Sequence, residues 1–192
     1  MSIEKEIIDK FFRSVRKEPQ KAIEDLNTNP ELSKIVWEGD ENLIVGSTPL
    51  HWASHDGNLE LIEKLIKCGA DVNSDFADWW CRPIDWAADS GQAEVVKLLI
   101  DCGAILEGDK WSNCTPLHVV AQGGSTNGRE RVESYRETAE ILIDAGAEVN
   151  AVAKYGGMPT EMTPLDDALN VDNETVADVL KLHGGLEFNQ LK

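Results

Sequence analysis

Positive charge is scarce in this chain. Eighteen Lys and Arg stand against 35 Asp and Glu in 192 residues, for a net charge of −17 at pH 7. The acidic excess is spread along the length and not gathered in a tail. A phosphate backbone or an anionic membrane therefore meets repulsion everywhere, and both are disfavoured as partners. A basic protein is favoured, and the charge either steers such a partner or simply keeps the chain dissolved. Long apolar runs are lacking too: none nears the roughly 20 residues that cross a bilayer. The opening MSIEKEIIDKFFRSVRKE carries charges where a secretory leader has an apolar centre, which points to a cytoplasmic protein. Only four cysteines occur, none in a Cys-x-x-Cys pair, so a zinc site is not expected. There is no G-x-S-x-G, no P-loop and no H-E-x-x-H, so neither an enzyme nor a cofactor-binding protein is expected.

What is present is repetition. Four segments align: STPLHWASHDGNLELIEKLIKCGADVN (47–73), CRPIDWAADSGQAEVVKLLIDCGAILE (81–107), CTPLHVVAQGGS…ETAEILIDAGAEVN (114–150) and MTPLDDALNVDNETVADVLKLHGGLE (162–187). They start at Thr48, Arg82, Thr115 and Thr163, with spacings of 34, 33 and 48. Each reads as two short helices. Pro49, Pro83, Pro116 and Pro164 suit a first helical position, and the residue before each is then the cap. Gly57, Gly91 and Gly124 would close the first helix in a left-handed turn. The second helix repeats apolar residues at helical spacing, as in Leu61, Ile62, Leu65 and Ile66, or Val95, Val96, Leu98, Leu99 and Ile100. Gly69, Gly103, Gly146 and Gly184 would end it. One such pair cannot bury its apolar face alone, whereas stacked pairs share a continuous core.

The Thr-Pro-Leu-His, Gly, Leu-Ile and Gly-Ala-Asp-Val-Asn signals, recurring in register at about 33 residues, resemble the ankyrin repeat over residues 47–187. The resemblance implies an all-α fold, an ankyrin-type α-solenoid of helix-turn-helix repeats with short β-hairpin fingers. The expected division is one domain: a degenerate N-terminal cap (1–46), repeats at 47–80 and 81–113, a repeat with an insertion (114–161) and a C-terminal capping repeat (162–192). In the cap, Ile3, Ile7, Ile8, Phe11, Phe12 and Val15 suggest one helix, and Pro19, Ala22, Ile23 and Leu26 a second. Three departures put local capping in question: Arg82-Pro83-Ile84-Asp85 and Leu165-Asp166 lack the motif's residues, and Asp172 replaces the first Gly of the fourth unit.

The resemblance also implies where a partner would dock. Trp52 and Trp86 occupy the same place in adjacent first helices, which line the concave face in this family. With Asp56, Asp85 and Asp89 they suit a basic, partly apolar segment, or else they pack between repeats. His55, Asp56, Asp89, Ser90, Gln122 and Gly123 sit at the variable helix end that the family uses for contact. Phe76, Trp79, Trp80, Trp111 and Tyr155 fall in the finger segments. There they either anchor a partner or fold back over the hydrophobic seam. The insertion Ser125–Glu137 brings Arg129, Arg131 and Arg136. Arg131–Ile143 reads best as an extended second helix, with a functional loop as the alternative.

Cysteines at repeat-equivalent places would lie about 10 Å apart, beyond disulfide reach, so small buried thiols are expected. His51 and His55 have a ligand-like i, i+4 spacing, but the family's His at 51 and 118 bonds between units, so no metal is expected. These readings converge on a non-enzymatic module, a monomer on its own, that binds a protein partner, favouring a basic one. The rivals are an inhibitor or immunity-type protein that blocks a toxin or enzyme, and a metal-binding or enzymatic role. A further alternative, implied by the family, is hydroxylation at Asn73 or Asn150.

Overall fold

The computed structural model describes residues 4–38, 44–75, 81–108, 112–123, 132–155 and 161–191. Five helix pairs follow one another along the chain. They are α1 (Lys5–Lys17) with α2 (Pro19–Thr28), α3 (Pro49–Asp56) with α4 (Leu59–Lys67), and α5 (Pro83–Asp89) with α6 (Ala93–Asp101). Then come α7 (Pro116–Gln122) with α8 (Val132–Asp144), and α9 (Pro164–Asn170) with α10 (Glu174–Leu182). First helices pack on first helices, in the order α1, α3, α5, α7, α9, and second helices form a parallel row, α2, α4, α6, α8, α10. One continuous cluster of buried apolar side chains runs between the rows, from Phe11 and Phe12 through Leu65, Ile84, Leu99, Leu117 and Leu142 to Leu180. This is the all-α solenoid that the repeat pattern implied. Of the expected fingers, the described residues contain one strand pair, β1 (Ala153–Lys154) against β2 (Glu161–Met162), antiparallel.

Each first helix after α1 starts with proline at its first turn, as the sequence indicates. The residue three places after the cap turns back to it. In α3 the Thr48 N–H donates to His51 Nδ1 at 3.1 Å, so the ring carries its proton on Nε2, which donates to the Cys81 carbonyl at 3.0 Å. The same arrangement joins Thr115 to His118, whose Nε2 lies 3.2 Å from the Met162 carbonyl. Where the motif departs, the work is redistributed. Asp85 accepts the Arg82 N–H at 2.7 Å, and the Arg82 guanidinium crosses to the Glu107 carbonyl at 2.8 Å. Asp166 accepts from Thr163 N–H at 2.8 Å and from Phe188 N–H at 2.9 Å. In every unit one polar group of the cap bonds forward to the next segment, so the substitutions preserve the joint.

A second joint runs backward. Gln92, capping α6, donates to the His55 carbonyl at 3.0 Å, and Asn173, capping α10, donates to the Gly123 carbonyl at 2.9 Å and the Ala121 carbonyl at 3.1 Å. Tyr135 does the same for α8: it is 1% exposed, and its hydroxyl donates to the Asp89 carbonyl at 2.8 Å. Tyr135 and the neighbouring Ser134, which bonds the Gly91 carbonyl, belong to the extra turn of α8. The described part of the insertion, from Val132, thus extends the second helix, and the extension locks onto the preceding repeat. Asn73 and Asn150 clamp forward in parallel fashion. Asn73 bonds Gly103 and Ile105, and Asn150 bonds Gly184 and Leu186.

Some expectations hold and others are corrected. Gly57 and Gly91 do adopt left-handed backbone, with φ of 78° and 61°, and Asp172 adopts it without being glycine, at 56°. Gly124 and Ile3 lie outside the described residues. Ile7 is 44% exposed and stands off the core, while Trp37, 5% exposed, packs edge-on against Phe12 at 5.0 Å. The four cysteines are free thiols, but none is buried: Cys68, Cys81 and Cys114 are half-buried and Cys102 is exposed. They sit near helix ends and segment starts, where the core thins out. No helix among the described residues is long and apolar enough to cross a membrane.

Candidate functional site

Stacking first helices in register places equivalent residues in rows. Four positions after each cap stand Trp52, Trp86, Val119 and Asp167, and three further on stand His55, Asp89, Gln122 and Asn170. A groove of about 650 Å³ opens across α3, α5 and α7 along these rows. It brings together Trp52, His55, Trp86, Asp89, Gln122 and Tyr155, drawn from three repeats and a finger. Asp85, almost wholly buried, also touches its lining.

The row begins closed. Trp52 is 7% exposed, its Nε1 donates to Ser47 Oγ at 2.8 Å, and it forms a T-shaped pair with Trp86, ring centroids 5.0 Å apart. Its face is covered by Arg16 of α1, whose guanidinium carbon lies 4.3 Å from the ring centroid. Asp56 completes this corner, 3.7 Å from Arg16 Nε and 2.8 Å from His55 Nδ1. The cation expected over Trp52 is therefore the chain's own arginine, and Trp52 packs between units. Trp86 is only half-buried and faces the open groove, with His55 at 6.3 Å. Asp89 beside it is exposed by surface area, yet crowded enough that desolvation raises its carboxyl above the ordinary range, an effect the His55 charge partly offsets.

The row ends in a polar knot. Tyr155 donates to Asp167 Oδ2 at 2.6 Å and receives Gln122 Nε2 at 2.6 Å, with Cys114 Sγ at 3.8 Å. Burial pushes the Asp167 carboxyl up to about 6, while the donors Tyr155 and Gln122 pull it partly back. Burial likewise raises the Tyr155 phenol, with Cys114 and Asp167 adding to the effect. Tyr155 thus pins its finger to the groove wall.

Besides Trp52, two more expected contact residues are withdrawn from the surface. Asp85 is 4% exposed because it caps α5 and pairs with Arg82 at 3.2 Å. Ser90 is 4% exposed and closes the end of α5, where its N–H bonds back to the helix. Asp56 is committed to Arg16 and His55. Phe76, Trp79, Trp80 and Trp111 lie outside the described residues. Sequence reasoning missed Arg16, Tyr135 and Asp167. Asp167 was readable by register, since it falls in the row of Trp52; Arg16 and Tyr135 act across units and leave no such signal. His51 is fully buried, with both ring nitrogens bonded, and burial lowers its pKa to about 4. It has no lone pair to offer a metal. Among the described residues no three His, Cys, Asp or Glu side chains group as a metal site.

Comparison with known families agrees with the geometry. A sequence model described as ankyrin repeats, in three copies, matches residues 21–110 and 50–153. None of the curated proteins matches the chain.

Proposed function

Because the chain belongs to the ankyrin-repeat family, whose repeats are generally protein–protein interaction modules, we propose that it binds a basic protein segment, without catalysis, in the groove across α3, α5 and α7. The observation that carries this reading is that residues far apart in sequence, Trp86, Asp89, Val119 and Gln122, line one open trough of about 650 Å³. An aromatic floor beside the Asp89 carboxylate suits a segment with apolar and cationic side chains, because a few buried aromatic anchors dominate such interfaces. The net charge of −17 would speed the encounter with a cationic partner.

The test compares wild type with Asp89→Lys combined with Val119→Arg as baits for protein capture at two salt concentrations, followed by affinity measurement on the retained protein. Asp89 is exposed and Val119 is half-buried against the core, so circular dichroism and melting temperature of the variant are measured alongside, and Asp89→Lys alone, at the exposed site, serves as the second variant. The expected loss is about tenfold or more, since like charge at an interface costs at least about 1.4 kcal/mol. Equal retention by the variant, or binding indifferent to salt, sinks the reading.

A further inference from the structure

The corner around Trp52 is a worked example of how this surface holds a guanidinium. Arg16 sits over the ring with its central guanidinium carbon 4.3 Å from the centroid, and the Asp56 carboxylate is 3.7 Å from Nε. One repeat further along, Trp86 occupies the position of Trp52. It is half-buried, it lines the groove, and it has a carboxylate, Asp89, one turn later on the same helix face. Trp86 and Asp89 repeat the chemistry of the first corner, an indole beside an acid. The rings of Trp52, His51 and His55 pack around Trp86 at 5.0, 5.2 and 6.3 Å, and the part of the indole that they leave uncovered lines the groove.

We propose that Trp86 and Asp89 form an arginine-reading subsite, in which a partner's guanidinium stacks on the indole and pairs with the carboxylate. The inference rests on the groove reading and narrows its occupant from a basic segment to one bearing arginine at this point. Arginine is selected over lysine because its planar, weakly hydrated group can stack and hydrogen-bond at once, while an ammonium must shed a tight water shell to do either. The raised carboxyl of Asp89 shows that the position is already partly desolvated, which strengthens a charge pair formed there.

The probes are Nα-acetyl-arginine methylamide and its lysine and citrulline counterparts at millimolar concentration, followed through the tryptophan indole N–H signals by NMR. The Trp86 signal is assigned by its loss in Trp86→Leu. The arginine probe should shift it saturably, and more tightly than the lysine probe by about fivefold, the ratio equivalent to about 1 kcal/mol of stacking. Citrulline, isosteric but uncharged, should leave it unmoved. Asp89→Asn, a substitution at an exposed site that leaves the core intact, should abolish the shift. In Arg16→Ala the vacated Trp52 corner should respond to the arginine probe as well. Equal responses to arginine and lysine overturn the arginine selection and leave the groove standing. A Trp52 response in Arg16→Ala with none at Trp86, or no shift by any probe, overturns the subsite. The groove reading fails separately, if Asp89→Lys with Val119→Arg retains its partner.

Discussion

The first and last motif-bearing repeats fill the same positions with opposite chemistry. At the third place after the cap the first has His51 and the last Asp166; at the fourth, Trp52 and Asp167; at the close of the first helix, Gly57 and Asp172. Both ends hold their backbone in the same shape. The first does so with aromatic packing and a neutral imidazole, the last with carboxylates and a tyrosine hydrogen bond. The difference teaches that the repeat fixes a geometry, a cap, a left-handed turn and a forward joint, and leaves the chemistry of the groove wall free. The groove accordingly runs from an apolar, arginine-sealed end to a polar, tyrosine-pinned one.

The comparison is broken most directly at its tryptophans. Trp52→Ala removes a ring packed between two helices and capped by Arg16, and should cost about 3–5 kcal/mol of unfolding free energy. Trp86→Ala removes a half-buried ring and should cost about 1–2 kcal/mol. Urea unfolding of both variants checks the ranking. Equal losses would mean that the two rings are alike and that the first repeat is no more sealed than the second.

Acid separates the two ends next. The His51 pKa is lowered to about 4 in the folded state from 6.5 unfolded. Its contribution is therefore present above pH 6.5 and lost as pH falls towards 4, by about 3 kcal/mol for a shift of this size. Asp167 is raised to about 6 from 3.8, so its contribution has the opposite course. It is full below pH 3.8 and lost as pH rises through 6, by a similar amount. Between pH 6 and 4 the two ends offset each other. Asp167→Asn should remove that offset, so that stability falls more steeply with acid than in wild type, by up to about 3 kcal/mol over that interval. Urea midpoints at pH 7, 6, 5 and 4 measure the slopes, and parallel slopes for the two proteins would refute the opposition.

The backward joints should follow the same division at a smaller scale. The first repeat is clipped through one bond, Gln92 to the His55 carbonyl, and the last through Asn173, which both caps α10 at Val176 and bonds the carbonyls of Ala121 and Gly123. Asn173→Ala should cost about 1–2 kcal/mol and Gln92→Ala at most about 1 kcal/mol. Thermal melts of the two variants give the comparison, and a larger loss for Gln92→Ala would invert it.

The row arrangement was legible in the sequence because it follows from periodicity. Proline at helix starts, glycine at helix ends and apolar residues at helical spacing are local signals, and each unit states them again. The double contact row of the groove was partly legible: register places Trp86 in line with Trp52 and Asp89 in line with His55. What separates a contact residue from a packed one was not, because it depends on a third element. Trp52 is closed by Arg16 from α1, and Ser90 is buried at the close of α5. Asp85 looks like a surface acid until its cap partner turns out to be Arg82. Tyr135 carried no repeat signal because the extra turn of α8 has no counterpart in the other units.

The smallest effect concerns the turn that the two ends share. Gly57 and Asp172 stand in the same place, at φ of 78° and 56°. An L-residue with a Cβ pays a steric penalty in this region, less for aspartate than for most side chains but not zero. The Asp172 side chain is exposed, so replacing it removes no burial. Asp172→Gly should therefore raise stability by about 0.5–1 kcal/mol, the relief of strain being larger than the added freedom of the unfolded chain. Converting Gly57 to Asp should lower stability by at least as much, because Gly57 lies against the Gln92 side chain and a Cβ there would meet its carboxamide oxygen. A matched rise and fall in urea midpoint would show that the two repeats ask the same backbone of different residues. A loss on Asp172→Gly would show that the last repeat has found its own turn, one in which aspartate is the better fit.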